Sequence, residues 1–204
     1  VSGFPVVLAT HNAHKVTEFQ EMLAREVPGL TVLPYDGPEP VEDGTSFEEN
    51  ALLKARAAAI HTGRIALADD SGIAVDLLGG SPGIFSARWA GSRKSDEANR
   101  HLLLEQLSDI ADEHRAAHFV CTIAVVVPDG HGGVASERIA VGRWDGRVAR
   151  AESGDNGFGY DSVFLPDGVE GSAAELTPDR KAALSHRARA LGALVPILAE
   201  LRGA

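Results

Sequence analysis

Asp69 and Asp70 are adjacent carboxylates between the apolar run Ile65 to Ala68 and the strand-like piece Ile73 to Val75. Neighbouring carboxylates repel each other unless a cation or a proton relieves them. With Glu42 upstream and no cysteine nearby, the donors are oxygens only, a set that suits hard Mg2+. Strand ends are where α/β enzymes place their sites. A solvated acidic turn is the plainer account of the same string, and the residues alone leave both open.

Phosphoaspartate chemistry, as in haloacid dehalogenase-like phosphatases, requires a second Asp two residues beyond the nucleophile. Ser71 and Gly72 hold those places, so that chemistry is disfavoured.

Thr10-His11-Asn12-Ala13-His14-Lys15 lies between an expected strand and a helix start, where backbone amides and a partial positive charge suit a phosphate chain. It lacks the Gly-x-x-x-x-Gly-Lys spacing of a Walker A loop. The bland alternative makes Asn12 a helix cap and Lys15 solvated surface. Asn50 and Lys54, four residues apart, share one helix face and present an amide and an ammonium together. In Gly157-Phe158-Gly159-Tyr160-Asp161, glycines flank an aromatic ring and leave its face open to a flat heterocycle, although a turn with Phe158 in the core fits equally. Lys181, Ser185, His186 and Arg187 gather donors around the start of the last helix, where they serve a carbonyl or phosphate, or a cap.

The elements that must position these groups follow from periodicity. Pro5 to Ala9 reads as a buried strand, followed by a helix with Val16, Phe19, Met22 and Leu23 on one face. Leu30 to Tyr35 reads as a second strand and Asp36 to Thr45 as a loop. Ser46-Phe47-Glu48-Glu49 has capping-box spacing before an Ala-rich helix to Ile60. Gly79 to Gly83 is a tight loop, and Ser95 opens a helix reaching Leu107. Phe119 to Val127 and Val134 to Val141 read as paired strands, Asp161 to Leu165 as another. Thr177-Pro178 opens a short helix and Ser185 caps the last one. Early alternation of strands and helices with a late β pair predicts an α/β protein with a mixed sheet.

Composition narrows the function. With 204 residues, 44% hydrophobic and 24% charged, the chain is expected to form one domain over residues 1–204. Nineteen basic against 29 acidic residues give a formal net charge of −10, which disfavours nucleic acid as partner. No stretch is apolar enough to span a membrane, no basic region precedes Val6 to Ala9 as in a secretory signal, and the single Cys121 lies in an apolar run. A cytoplasmic protein is expected.

Several strings together resemble a known family. Val7 to Asn12 through Lys15, Ser46 to Ala51 through Lys54-Ala55, Ala68 to Gly72, Gly79-Gly80 with Pro82-Gly83 and Ser86-Ala87-Arg88, Gly157 to Asp161, and Ser185-His186-Arg187 occur in order. In these the chain is similar to the non-canonical purine nucleoside triphosphate pyrophosphatases of inosine triphosphatase type. The resemblance implies an elongated mixed β-sheet with flanking helices, two lobes around a central cleft, Mg2+ dependence and a homodimer. It implies Asp70 as catalytic acid and metal ligand, with Glu42 and Asp69 in the acidic shell. Thr10, His11, Asn12, Ala13, His14, Lys15 and Lys54 match triphosphate contacts. Ser71, Phe158, Gly159, Tyr160, Asp161, Lys181, His186 and Arg187 match nucleotide and base contacts. His11 stands where the family often has Gly or another small or basic residue, and Ser162 where it usually has Pro. The expected reaction is attack on the α-phosphorus by a water that Asp70 activates, releasing pyrophosphate from ITP, dITP or XTP and so cleansing the nucleotide pool. A septum-formation-type pyrophosphatase with another base preference and a nucleotide-binding regulator without turnover are the rival readings.

Overall fold

Val6, Val7 and Leu8 are buried, as their apolar run predicts, and form the core of β1 (Phe4–Leu8) in a computed structural model that describes residues 3–203. The expected domain limits, residues 1 and 204, lie outside the described residues. β1 pairs in parallel with β2 (Leu30–Leu33), Val6 opposite Val32, and with β3 (Ala66–Val75), Leu8 opposite Leu67. β4 (Ala116–Pro128) and β5 (Val134–Val148) follow, and β6 (Phe164–Pro166) runs antiparallel to β5 with Val148 opposite Phe164. The strand order is β2-β1-β3-β4-β5-β6. Parallel and antiparallel pairs share one sheet, so the expected mixed α/β class is borne out.

The helices begin where their caps predict. Asn12 Oδ1 accepts from the His14 amide at 3.0 Å and starts α1 (Ala13–Glu26), which buries Phe19 and Leu23. Ser46 Oγ accepts from the Glu49 amide at 3.1 Å and starts α2 (Phe47–Thr62). Only half of the expected capping box forms. Glu49 reaches one residue further back, to the amide and hydroxyl of Thr45, and these bonds hold its carboxyl below the usual range. Gly63, at φ +63°, closes α2. Ser95 caps α3 (Asp96–Gln106), Thr177 caps α4 (Pro178–Leu184), and Ser185 Oγ accepts from the Ala188 amide at the start of α5 (His186–Gly203).

Three expectations are corrected. Ile65 to Ala68 and Ile73 to Val75 are not separate pieces, since β3 runs unbroken through Asp69-Asp70-Ser71-Gly72. Side-chain partners neutralise the acids there, so the backbone keeps its ladder. Asp161 to Val163 forms a 3-10 turn and leaves only Phe164–Pro166 as strand. β5 continues past Gly142 to Val148, with Ala140, Gly142, Trp144 and Val148 buried along its length.

The chain divides into two compact units. The first holds the chain through Asp70, Thr122–Val141 and the residues from Ala190; in its core the α2 alanines Ala51, Ala55, Ala58 and Ala59 pack with Val7, Ala66, Ala68, Ala124 and Val126. The second holds Ser71–Cys121 and Gly142–Arg189, and its core is aromatic. Phe164 meets Phe119 at 4.7 Å and Trp144 at 5.6 Å between ring centroids, both edge-on. No helix among the described residues is long and apolar enough to cross a membrane.

Arg115, 2% exposed, ties the second unit together by donating to the carbonyls of Leu107, Val148 (2.9 Å) and Ala149 (2.7 Å). Burial, with Arg150 close by, lowers its guanidinium pKa. Arg115→Met removes a donor from three carbonyls, of which that of Leu107 keeps the Ile110 amide at 3.0 Å, and should cost about 3 kcal/mol, roughly 6 to 12 °C in Tm. Thermal unfolding within about 2 °C of the parent would show that these bonds do not stabilise the fold.

Candidate active site

β1 ends at Leu8, whereas β3, paired with it up to Leu67, continues for eight more residues to Val75. Asp69 and Asp70 therefore sit beyond the carboxyl end of their parallel neighbour, at the place on a parallel sheet where ligands bind. The strand does not end at the acids, but its partner does.

Side chains alternate along a strand, so the two acids face opposite ways and need different partners. Ala66, Ala68 and Asp70 face α2; Leu67 and Asp69 face the other side. Lys15, in the first turn of α1, donates to both Asp69 oxygens at 2.9 and 3.0 Å, and the Asp69 side chain is only 4% exposed. Lys15 is thus an ion-pair partner rather than solvated surface. Asn50 Nδ2, from α2, reaches Asp70 Oδ2 at 3.3 Å, and Lys54 Nζ stands 3.7 Å from Asp70 Oδ1 and 2.8 Å from Glu42 Oε1. Burial pushes the Asp70 carboxyl up, with Glu42 and Asp69 adding to it and Lys54 and Asn50 opposing. Burial also pulls on the Lys54 ammonium, but Asp70, Glu42 and Asp69 outweigh it and hold the ammonium above its usual value.

The loop bearing Glu42 is fixed from both ends. Asn50 Oδ1 accepts from the Gly44 amide at 3.0 Å, and a Cβ at Gly44 would lie 2.7 Å from that oxygen, which explains the glycine. Tyr35 is 4% exposed, donates to the Pro38 carbonyl at 2.9 Å, and lies so close to Gly37 that a Cβ there would stand 2.6 Å from its ring. His11 stacks on Tyr35 at 5.9 Å and its Nε2 donates to the Gly37 carbonyl at 2.9 Å; Nδ1 is 3.3 Å from Glu39. A carbonyl only accepts, so Nε2 carries the proton.

Of the residues expected to contact phosphate, His11 is thus turned onto the Glu42 loop, and Asn12 caps α1. The amides of Asn12, His14, Lys15 and Val16 have acceptors in Thr10 Oγ1, Asn12 Oδ1 and the Asn12 carbonyl. Ala13 and His14 are exposed.

The remaining candidates lie in the second unit. Ser71 is half-buried on β3. Asp161, 4% exposed, accepts from the Phe158 amide at 2.8 Å and from Lys181, whose Nζ lies 5.3 Å from the centroid of the Phe158 ring. Phe158 is 68% exposed, so it is not a core residue. Tyr160 is buried, donates to the Ser86 carbonyl at 2.8 Å, and burial raises its phenol pKa. His186 stacks on Phe119 at 4.7 Å, and Arg187 follows half-buried on α5. Ser162 Oγ donates to Glu152 at 2.9 Å.

Among the described residues no three His, Cys, Asp or Glu side chains are grouped closely enough to hold an ion. The donors beside Lys54 are the oxygens of Glu42 and Asp70. Mg2+ commonly takes one or two carboxylates and completes its shell with phosphate oxygens and water, so this set fits that ion. Lys54 already bridges the two carboxylates as a cation would.

Residues 6–197 match the Ham1 family, and the chain belongs to it. It is similar to the dITP/XTP pyrophosphatase of Leifsonia xyli subsp. xyli, 59% identical over 196 residues that cover 96% of each chain. It is also similar to the dITP/XTP pyrophosphatase of Streptomyces coelicolor, 49% identical over 97% of this chain and 98% of that one. The structure of a HAM1 protein from Coxiella burnetii matches with a TM-score of 0.88 and 40% identity, covering 97% of this chain and 99% of the other. That of a dITP/XTP pyrophosphatase from Mycobacterium abscessus matches with a TM-score of 0.79 and 47% identity, covering 94% and 99%. The family resemblance read from the motifs is borne out.

His11 makes the Glu42 loop depend on the α1 start. His11→Ala should cost about 1 kcal/mol of stability and speed amide exchange within residues 36–45 more than elsewhere. Unchanged exchange in that loop by mass spectrometry would show that His11 does not hold it.

Proposed function

We propose that this chain is a Mg2+-dependent nucleoside triphosphate pyrophosphatase that converts ITP, dITP and XTP to the monophosphate and pyrophosphate. The observation that carries the reading is Lys54 held between Glu42 and Asp70, with burial making the Asp70 carboxylate a stronger base than usual. Membership of a family in which relatives are named dITP/XTP pyrophosphatase supports it.

Mg2+, held by Asp70 and Glu42 with Asp69 behind them, would neutralise charge on the phosphate oxygens. Lys15 and Lys54 exchange carboxylate for phosphate oxygens and hold the polyphosphate, beside the loop from Thr10 to His14. Asp70 takes a proton from water as the water oxygen bonds to the α-phosphorus. The bond from that phosphorus to the α–β bridging oxygen breaks, and pyrophosphate leaves with the electron pair. In the second unit, Phe158 offers a ring face to a purine, while Lys181, His186 and Arg187 supply donors with Ser71, Gly159, Tyr160 and Asp161 around them. Donors favour the C6 carbonyl of hypoxanthine and xanthine over the amino group of adenine. The role is removal of deaminated purines from the nucleotide pool, in the cytoplasm. The lone, buried Cys121 accords with a reducing compartment.

Asp70→Asn should lower kcat by at least about 100-fold while Tm stays level or rises, because the change removes a buried charge. Pyrophosphate release from ITP by the purified variant near the parent rate would refute the assignment. A homodimer, carried by the resemblance, is the proposed assembly; light scattering at micromolar concentration checks it, and a monomer mass refutes it.

A further inference from the structure

The loop Gly157 to Asp161 is pinned at almost every residue except the Phe158 ring. Gly157, at φ +82°, leaves no room for a Cβ beside Asp161 and Lys181. Tyr160 and Asp161 are held as described above. Gly159 is held by its own backbone, and both holds come from one face of α3, four residues apart. Asp96 Oδ2 accepts from the Gly159 amide at 2.9 Å, and Arg100 Nη1 donates to the Gly159 carbonyl at 2.9 Å. Arg100 is aimed in turn by Glu152, whose Oε2 accepts from Arg100 Nε at 2.8 Å and from Ser162 Oγ at 2.9 Å. Ser162 thus adds a donor that steadies the loop.

α3 is a firm support. Beyond its Ser95 cap, the buried Asn99 accepts from the Ala90 amide at 2.7 Å and donates to the Ala87 carbonyl at 3.1 Å, and Leu103 lies in the core. An aromatic ring held still loses little freedom when a flat ligand stacks on it; a ring on a mobile loop must first be ordered. Nothing in the capping pattern of α3 requires Asp96 or Arg100 to reach residue 159.

We propose that Asp96 and Arg100 are positioning residues for base recognition, which grip both peptide groups of Gly159 and so present the Phe158 ring to the purine. The inference rests on the function proposed above. The two residues act through the loop and touch no reacting atom, so their loss falls on binding and base choice rather than on the chemical step.

Steady-state pyrophosphate release from ITP, XTP and ATP tests this in the full chain with Mg2+, using Arg100→Met, Arg100→Lys, Asp96→Ala and Asp96→Asn, each with its Tm. Arg100→Met and Asp96→Ala should raise KM for ITP and XTP about 10-fold with kcat within about two-fold and leave kcat/KM for ATP, whose base the donors do not hold against the ring, within about two-fold, lowering the ITP-to-ATP ratio of kcat/KM about 10-fold. Asp96→Asn, which keeps an acceptor, and Arg100→Lys, which keeps one donor, should recover part of the loss. If Arg100→Met fails to fold, the Asp96 pair carries the test. A parent that prefers ITP while the ratio is unchanged in the variants overturns the positioning role alone. A parent with no preference for ITP over ATP overturns the proposed function and this inference with it.

Discussion

Two carboxylates inside a continuous strand are the constraint around which the first unit is arranged. A β-strand sends neighbouring side chains to opposite faces, so Asp69 and Asp70 cannot share one counter-charge. Each needs a cation from a different helix: Lys15 from α1 and Lys54 from α2. The positions of these helices relative to β3, the early end of β1 and the folded-back Glu42 loop all serve that need. Three carboxylates against two ammonium groups still leave an excess of negative charge beside Lys54.

The second unit solves a different problem. It leaves the Phe158 ring in water without letting it collapse onto the core. Phe158 stays out because the residues around it are committed elsewhere: Tyr160 to Ser86, Asp161 to Lys181, and Gly159 to α3. Polar bonds around it, rather than packing, keep the ring exposed.

Much of this was legible in the sequence. Short apolar runs and capping residues located the strands and helices because those signals are local: Asn12, Ser46, Ser95 and Thr177 each cap within three residues. The acids, Lys15 and Lys54 stood out because charge beside apolar runs is conspicuous. What escaped depends on distant partners. Asp-Asp-Ser-Gly looks like a turn until Lys15, 54 residues away, is seen to neutralise Asp69. Nothing in the sequence singles out Asp96 and Arg100, since a bond to a backbone amide or carbonyl leaves no mark on the residue that offers it. Gly44 was hidden for the same reason, its absent side chain making room for Asn50.

The inward face of α2 is built from Ala51, Ala55, Ala58 and Ala59, all without exposed surface. Alanine has no rotamers, so on the helix side the distance to the sheet is set by backbone and methyl groups, with no side chain of the helix face that can yield. Lys54 and Asn50 ride on that helix beside residues that cannot adjust. The two added carbons of Val at position 55 would have nowhere to go except into displacement of the helix. The precision of the charged cluster is therefore a mechanical tolerance, written in the smallest side chains of the fold and not in the reactive ones.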